Sequence, residues 1–333
     1  MYNNKDMKGK RGDGDTKILK IEKYEDFIGL YDKITTPSVA AIGFFDGVHR
    51  GHRMLFSAAR EYAKRNDMAF TVFTFTAKSM NTKGGGKLYT DKEKCALLES
   101  ESADTALLCD LSAVKDLEAS EFVSDILFGK LGIRAVFSGC NFKFGRGAAG
   151  DTEMLRQVAK KCGGEAFAIP EITDGGDKIS SSRIKELIAK ADLRGAGRLL
   201  GLPYFITGKI THGKGLGKDI GIPTVNIARA DGRILPPIGV YSTVTKIRGV
   251  NYLSLTNIGT CPTFGEREIH SETFILDFSE NVYDEEATVY FIDYLREEKV
   301  FDNEKELVMQ INIDKNRAKE LLGDLKWQEI GQK

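Results

Sequence analysis

Short apolar runs alternate with amphipathic stretches from Ser38 to about Pro170, and this alternation constrains the fold more than any other feature of the chain. VAAIGFF (39–45), AFTVFTF (69–75), TALLCDL (105–111), IRAVFSG (133–139) and EAFAIP (165–170) read as strands. Between them, GHRMLFSAAREYAKR (51–65) and the segments near 91–100, 119–131 and 151–162 carry helical spacing. Strands that are apolar on both faces and separated by helices require a parallel sheet, covered on each side and joined by right-handed crossovers. A doubly wound α/β domain is expected. Ligands bind such sheets beyond the carboxyl ends of the strands, which here lead into the loops after Phe45, Phe75, Leu111 and Gly139.

The texture changes after residue 200. A helical pattern from Ser182 to Leu200 gives way to YFITGKIT (204–211), TVNIA (224–228), GVYSTVTKI (239–247), NYLSLTNI (251–258), ETFILDF (272–278) and ATVYFIDYL (287–295). Closely spaced β-branched and aromatic strands without helical spacers predict a small antiparallel barrel. A last helix is expected over Asn303–Leu322, with Leu307, Ile311, Ala318 and Leu322 on one face. The 333 residues also suit two domains of roughly 100–200 residues each. We read a disordered leader over 1–15, an α/β domain over 16–190 and a barrel domain over 191–333.

Charge narrows the partners. The 48 Lys+Arg balance the 48 Asp+Glu, which argues against a nucleic-acid coat or a polybasic membrane anchor. No stretch approaches the ~20 apolar residues of a membrane span, and MYNNKDMKGKRGDGD has no apolar run of a signal peptide. The five cysteines form no CxxC pair and are odd in number, so reduced thiols and a cytoplasmic location are expected. Small molecules remain as partners. Nothing in the pattern sets an oligomeric state.

Gly43-Phe44-Phe45-Asp46-Gly47-Val48-His49-Arg50-Gly51-His52 falls where the first strand passes into the first helix. Glycines there let the backbone approach a phosphate, the helix N-terminus offers unpaired N–H groups, and His49 and His52 project on one side of the first turn. A polyphosphate site is the sharper reading; a capped helix start is the plainer one. Zinc lacks a third ligand at a recognisable spacing. In the second half, Gly213, Gly215, Gly217 and Gly221 precede Pro223-Thr224-Val225-Asn226. Such a loop suits phosphates, and a Thr hydroxyl beside an Asn carbonyl offers hard oxygen ligands for Mg²⁺, although a flexible hairpin has the same composition. Glu272 shares strand parity with Phe274, Leu276 and Phe278, which predicts a carboxylate at the end of an inward-facing apolar row. It is either a general base or a structural acid at the rim.

These segments resemble a known family. GFFDGVHRGH, followed in order by SGCNFKFGRGAAGD (138–151) and KISSSRIKELI (178–188), is similar to the nucleotidyltransferase signature of bifunctional prokaryotic riboflavin kinase/FAD synthetases. The glycine loop with PTVN, NIGTCPTFG (257–265), SETFILDF (271–278) and LREEKVFDNEKEL (295–307) resembles the riboflavin kinase half. The resemblance implies a Rossmann-like FMN adenylyltransferase domain followed by a kinase barrel, using ATP and Mg²⁺ on riboflavin and FMN. It assigns Asn141 to flavin or nucleotide contact, and Ser181, Ser182 and Arg183 to the ATP phosphates with His49 and His52. Thr224 and Asn226 become metal ligands, and Glu272 the base.

Three positions depart from that pattern. Phe75-Thr76-Ala77-Lys78-Ser79 stands where the family has a Pro-His-Pro element, Lys185 where Arg is common, and Cys261 where Arg often precedes PTF. Lys cannot reproduce the bidentate guanidinium fork. One alternative follows from these departures, a monofunctional riboflavin kinase with a degenerate first domain; another is a flavin- or nucleotide-binding protein without catalysis, because a fold and glycine loops do not themselves make chemistry.

Overall fold

The computed structural model describes residues 17–21, 36–79, 86–211, 224–227, 232–263, 266–323 and 327–331; the leader expected over 1–15 lies outside them. The chain divides into two compact units. One comprises Met1–Gly43, Leu55–Thr76 and Cys95–Ile169, the other Phe44–Met54, Ala77–Lys94 and Pro170–Lys333.

The first unit carries the parallel sheet. Its elements are β1 (Lys17–Ile21), β2 (Ser38–Ile42), most of α1 (Arg50–Arg65), β3 (Ala69–Phe75), most of α2 (Asp91–Ser100) and β4 (Thr105–Cys109). Then come a helical segment α3 (Ala119–Glu121, continuing as a π-helical run over Phe122–Lys130), β5 (Ile133–Gly139), α4 (Thr152–Lys161) and β6 (Glu165–Ile169). The strands are parallel in the order β1-β4-β3-β2-β5-β6. Every residue of β2 is buried, as the continuous apolar run requires of a central strand. Phe73, Phe75, Phe122, Ile126, Leu127, Val136 and Phe144 form one core, each large side chain contributing about 1.5–3 kcal/mol on burial. Gly150 lies flat on Phe144, where a Cβ would stand 2.6 Å from the ring. Asp151 then opens α4 by accepting from the N–H groups of Glu153 and Met154.

Strand order reverses between β2 and β5. Their carboxyl ends lead into residues 43–52 and 139–151, the first and second candidate segments of the sequence.

In the second unit, a hairpin of β7 (Thr173–Asp174) and β8 (Asp177–Lys178) precedes α5 (Ser181–Ala189) and α6 (Leu193–Leu200). The single helical run expected over 182–200 is broken because Asp192 caps a new helix through the Gly195 N–H at 2.8 Å. The barrel follows: β9 (Phe205–Thr211), β10 (Thr224–Ile227), β11 (Gly239–Ile247), β12 (Val250–Thr263), β13 (Glu266–Ile275) and β14 (Glu286–Arg296). It closes in the order β10-β13-β12-β11-β14-β9 with antiparallel pairing throughout. The final helix, α7 (Glu304–Leu322), is capped by Asn303.

Helix α7 identifies the outer face of the barrel. Ala318, Ile311 and Leu321 pack on Val240, Leu255, Phe274 and Leu295. On the opposite parity, the hydroxyls of Thr243, Thr245, Ser254, Thr256 and Thr273 form a buried hydrogen-bonded chain at 2.7–2.9 Å. Glu272, which shares parity with Phe274, therefore sits on the outer face. The inward-facing row expected for it is corrected: Ser271, Thr273 and Ile275 line the interior, while Phe274 is apolar because α7 covers the outer face there. On α7, Asp314 joins Ala318 and Leu322 in burial because Arg296 neutralises it with two hydrogen bonds.

Residues 86–94 group with the barrel for a physical reason. Tyr89 stacks on Phe205 and Tyr204, with ring centroids 4.6 and 5.7 Å away. Glu93 pairs with Arg233 and accepts from the N–H groups of Thr90 and Thr207, and both charged side chains are 2% exposed.

Candidate functional sites

The loop after β2 is shaped by backbone that few residues adopt. Phe45, Gly47 and Val48 all have positive φ, and at Gly47 a Cβ would also press to 2.7 Å from Leu88. The turn delivers His49 to the start of α1, where its carbonyl accepts from the Arg53 N–H at 3.0 Å. The His49 and His52 rings stack, 3.5 Å between centroids and 17° apart. Gly51 makes room for this, since a Cβ there would lie 3.1 Å from the His49 ring.

Both imidazoles are neutral at pH 7. Burial pushes His49 down to about 4, with Asp46 opposing, and pushes His52 well below its ordinary value, helped by His49 and Lys94. The Nδ1 atoms of both are buried without a hydrogen-bond partner. Two neutral rings at a helix N-terminus, each with unused polar capacity, suit an oxyanion ligand.

Asp46 organises the surroundings. Its Oδ2 lies 2.7 Å from the Lys185 ammonium, its Oδ1 accepts from the Leu88 N–H at 3.1 Å, and its carbonyl accepts from Ser181 Oγ at 2.7 Å. Lys185 thus meets the loop as a single point charge on one carboxylate oxygen, while the other oxygen is engaged by backbone. The N-cap of α5 is Ser180, which accepts from the Arg183 N–H; Ser182 is exposed on the first turn. Arg183 donates to the Asp174 and Asp177 carbonyls at 3.0 and 2.9 Å and so braces the β7–β8 hairpin.

Two arrangements were not foreseen from the sequence. Lys94, 1% exposed, donates to the Phe44 carbonyl at 3.1 Å. Asp174 accepts from Arg50 at 2.9 Å and Arg198 at 3.0 Å, and these guanidinium groups hold its carboxyl below the usual range. Gly43 closes β2 by donating to the Phe73 carbonyl, and Phe44 is 40% exposed. Asn141 belongs to the other unit, exposed in the turn just past β5. Residues 77–79, in place of a Pro-His-Pro element, make a short 3₁₀ turn whose first N–H donates to Asp91 at 2.6 Å, and Lys78 is exposed.

On the barrel, Thr224, Asn226 and Glu272 come together on one face. Asn226 is directly opposite Glu272, and the Thr224 hydroxyl donates to Glu272 Oε1 at 2.6 Å. That bond spends the hydroxyl proton and leaves the oxygen lone pairs of Thr224 for a cation. Among the described residues no cluster of three or more His, Cys, Asp or Glu side chains is arranged to hold a metal. Neutral oxygens such as Thr224 Oγ1 and Asn226 Oδ1 instead suit Mg²⁺ shared with substrate phosphates. Gly213, Gly215, Gly217, Gly221 and Pro223 lie outside the described residues.

Comparison with known proteins gives concordant matches. A family model described as FAD synthetase matches residues 31–183, and one described as riboflavin kinase matches 200–322. Relatives named bifunctional riboflavin kinase/FMN adenylyltransferase include one from Pseudomonas fluorescens, 33% identical over 85% of this chain and 92% of its own. Those from Bacillus subtilis and Escherichia coli K12 are each 31% identical, covering 84% and 86% of this chain and 91% and 93% of theirs. A solved structure described as a macrolide-efflux protein from Streptococcus pneumoniae superposes with a TM-score of 0.79 at 29% identity, over 91% of this chain and 98% of that one. Among the described residues no helix is long and apolar enough to cross a membrane.

Proposed function

The chain belongs to the bifunctional riboflavin kinase/FMN adenylyltransferase family, and from that premise we propose how its residues divide the two reactions. The enzyme phosphorylates riboflavin to FMN and adenylylates FMN to FAD. We propose a functional boundary near residue 190, a reading supported by the gap between the two matched segments.

In the kinase reaction, Glu272 takes the proton of the ribityl 5′-hydroxyl as that oxygen attacks the γ-phosphorus of ATP, and ADP leaves. The single observation that carries this reading is the Thr224–Glu272 bond, which fixes one carboxylate oxygen and leaves the other to face the nucleophile. Thr224 and Asn226 would hold Mg²⁺, which neutralises phosphate charge in transfers of this kind. Residues 213–223 would wrap the phosphates.

In the adenylyl transfer, the FMN phosphate attacks the α-phosphorus of a second ATP and pyrophosphate departs. His49 and His52, as neutral N–H donors at the start of α1, stabilise charge growing on the phosphates without changing protonation state. Ser181 and Lys185 hold the loop through Asp46, while Ser182, Arg183 and Asn141 are placed as nucleotide or flavin contacts. Magnesium dependence and a cytoplasmic setting belong to the same reading.

Chromatography of products after mixing the protein with riboflavin and MgATP tests the assignment. FMN together with FAD is expected. FMN alone would favour the monofunctional kinase, for which the 3₁₀ turn at residues 77–79 is the specific argument, and neither product would favour a binding protein.

A further inference from the structure

Three buried polar atoms without a hydrogen-bond partner surround Glu272: Asn226 Nδ2, Asn257 Oδ1 and His270 Nδ1. Asn226 and Asn257 stand directly opposite Glu272 on its two neighbouring strands, and His270 is two residues away on the same face of β13. Of the three, Asn257 is held in place by a carboxylate. Its Nδ2 donates to Glu298 Oε1 at 2.8 Å. Gly259 makes that contact possible, because a Cβ there would lie 2.4 Å from Glu298 Oε1 and 3.2 Å from Asn257 Nδ2. That bond uses one amide proton and fixes which end of the group is the carbonyl, so the enclosed, unpartnered atom is the acceptor Oδ1. An enclosed acceptor without a donor costs roughly 1–3 kcal/mol, which a bound substrate can recover.

We infer that Asn257 is a substrate-positioning residue of the kinase reaction: its Oδ1 accepts a hydrogen bond from the ribityl hydroxyl next to the one that Glu272 deprotonates. The chemistry of the two substrates makes the choice. An ionised triphosphate has no proton to give a carbonyl oxygen, whereas a polyol chain carries a donor on successive carbons. Glu272 meets the terminal hydroxyl, and a side chain one rung away meets the next. The inference rests on the placement of Glu272 as the base.

Steady-state kinetics on the full chain test it. Asn257→Ala is expected to raise KM for riboflavin about tenfold, the worth of one hydrogen bond, with kcat and KM for MgATP within about twofold. Glu298→Ala, which frees the amide without removing it, should raise the same KM about threefold, and the double variant should be no worse than Asn257→Ala because both act through one group. A flavin lacking the 4′-hydroxyl should lose about tenfold with the unaltered enzyme and nothing further with Asn257→Ala. If Asn257→Ala does not fold, Glu298→Ala with the deoxy flavin supplies the same comparison. An unchanged riboflavin KM overturns the inference. So does a change confined to KM for MgATP or to Mg²⁺ dependence, which would make the amide a metal ligand, and so do additive effects at 257 and 298. Glu272→Gln, run alongside, separates the two levels: undiminished turnover there would remove the kinase site itself, while the Asn257 result bears on the amide alone.

Discussion

The loop at residues 43–52 and the barrel face around Glu272, the two sites proposed above, are built in opposite ways. The loop depends on strained backbone and on ions that the protein supplies to itself: three positive-φ residues, and an Asp46 carboxylate already engaged by Lys185 and Leu88. The barrel face depends on strand register, which aligns Asn226, Glu272 and Asn257 on three neighbouring strands and leaves Asn226 Nδ2 and Asn257 Oδ1 unpaired. A loop must be braced before it can bind. A sheet is braced already, so its functional groups can stay unsatisfied until the substrate arrives.

Separate chemistry at the two places should give separable losses. Glu272→Gln is expected to reduce FMN formation by about 10²–10⁴-fold, the usual range for a general base, while FAD formation from supplied FMN stays within about twofold. A parallel loss of both activities would mean that the two sites are not independent. The converse variant, His49→Ala/His52→Ala, should lower FAD formation by about 10²–10³-fold and spare the kinase, as measured by product chromatography with FMN or riboflavin as the starting flavin.

Asp46→Asn probes the bracing. It keeps an acceptor for the Leu88 N–H but loses the charge facing Lys185, so a stability loss of about 1–3 kcal/mol is expected in urea unfolding, with a raised KM for ATP in adenylyl transfer only. An equal effect on the kinase would show that Asp46 serves the whole unit.

The smallest effect concerns pH. His49 ionises near pH 4 in the folded protein against an ordinary value of 6.5, so between those values the unfolded chain binds more protons. The stability from its neutral burial is complete above pH 6.5 and is lost as pH falls toward 4. The melting midpoint of the unaltered protein should therefore drop more between pH 7 and pH 5 than that of His49→Gln/His52→Gln. Parallel curves would show that the imidazoles are not held neutral.

What could be read from the sequence follows from how far each signal reaches along the chain. VAAIGFF and AFTVFTF were legible because β2 and β3 are buried on both faces and so lack any polar alternation. The strand at Lys17–Ile21 and the two-residue strands of the β7–β8 hairpin carry no such run and were not anticipated. The histidine pair, Thr224, Asn226 and Glu272 could be proposed from the sequence because each sits in a local motif, and the structure brings His49 to His52 and Thr224 to Glu272. The face of Glu272 was not legible because both faces of the barrel carry apolar residues: the interior, and the outer patch of Val240, Leu255, Phe274 and Leu295 that α7 covers. Lys94 at Phe44, Lys185 at Asp46 and Asp174 between Arg50 and Arg198 join residues far apart in the chain, and no periodicity reports them.

The burial of Glu93 against Arg233 bears on how this polypeptide can be divided. A fragment ending at residue 190 would retain both imidazoles yet strand Glu93 without its counter-ion and strip Tyr89 of Tyr204 and Phe205, while the complementary fragment would leave Arg233 facing nothing. Separating a buried pair in this way costs about 3–5 kcal/mol, a large share of what holds a small domain together. Halves expressed alone should therefore be less soluble than the intact chain, and mixing the two should restore what either lacks.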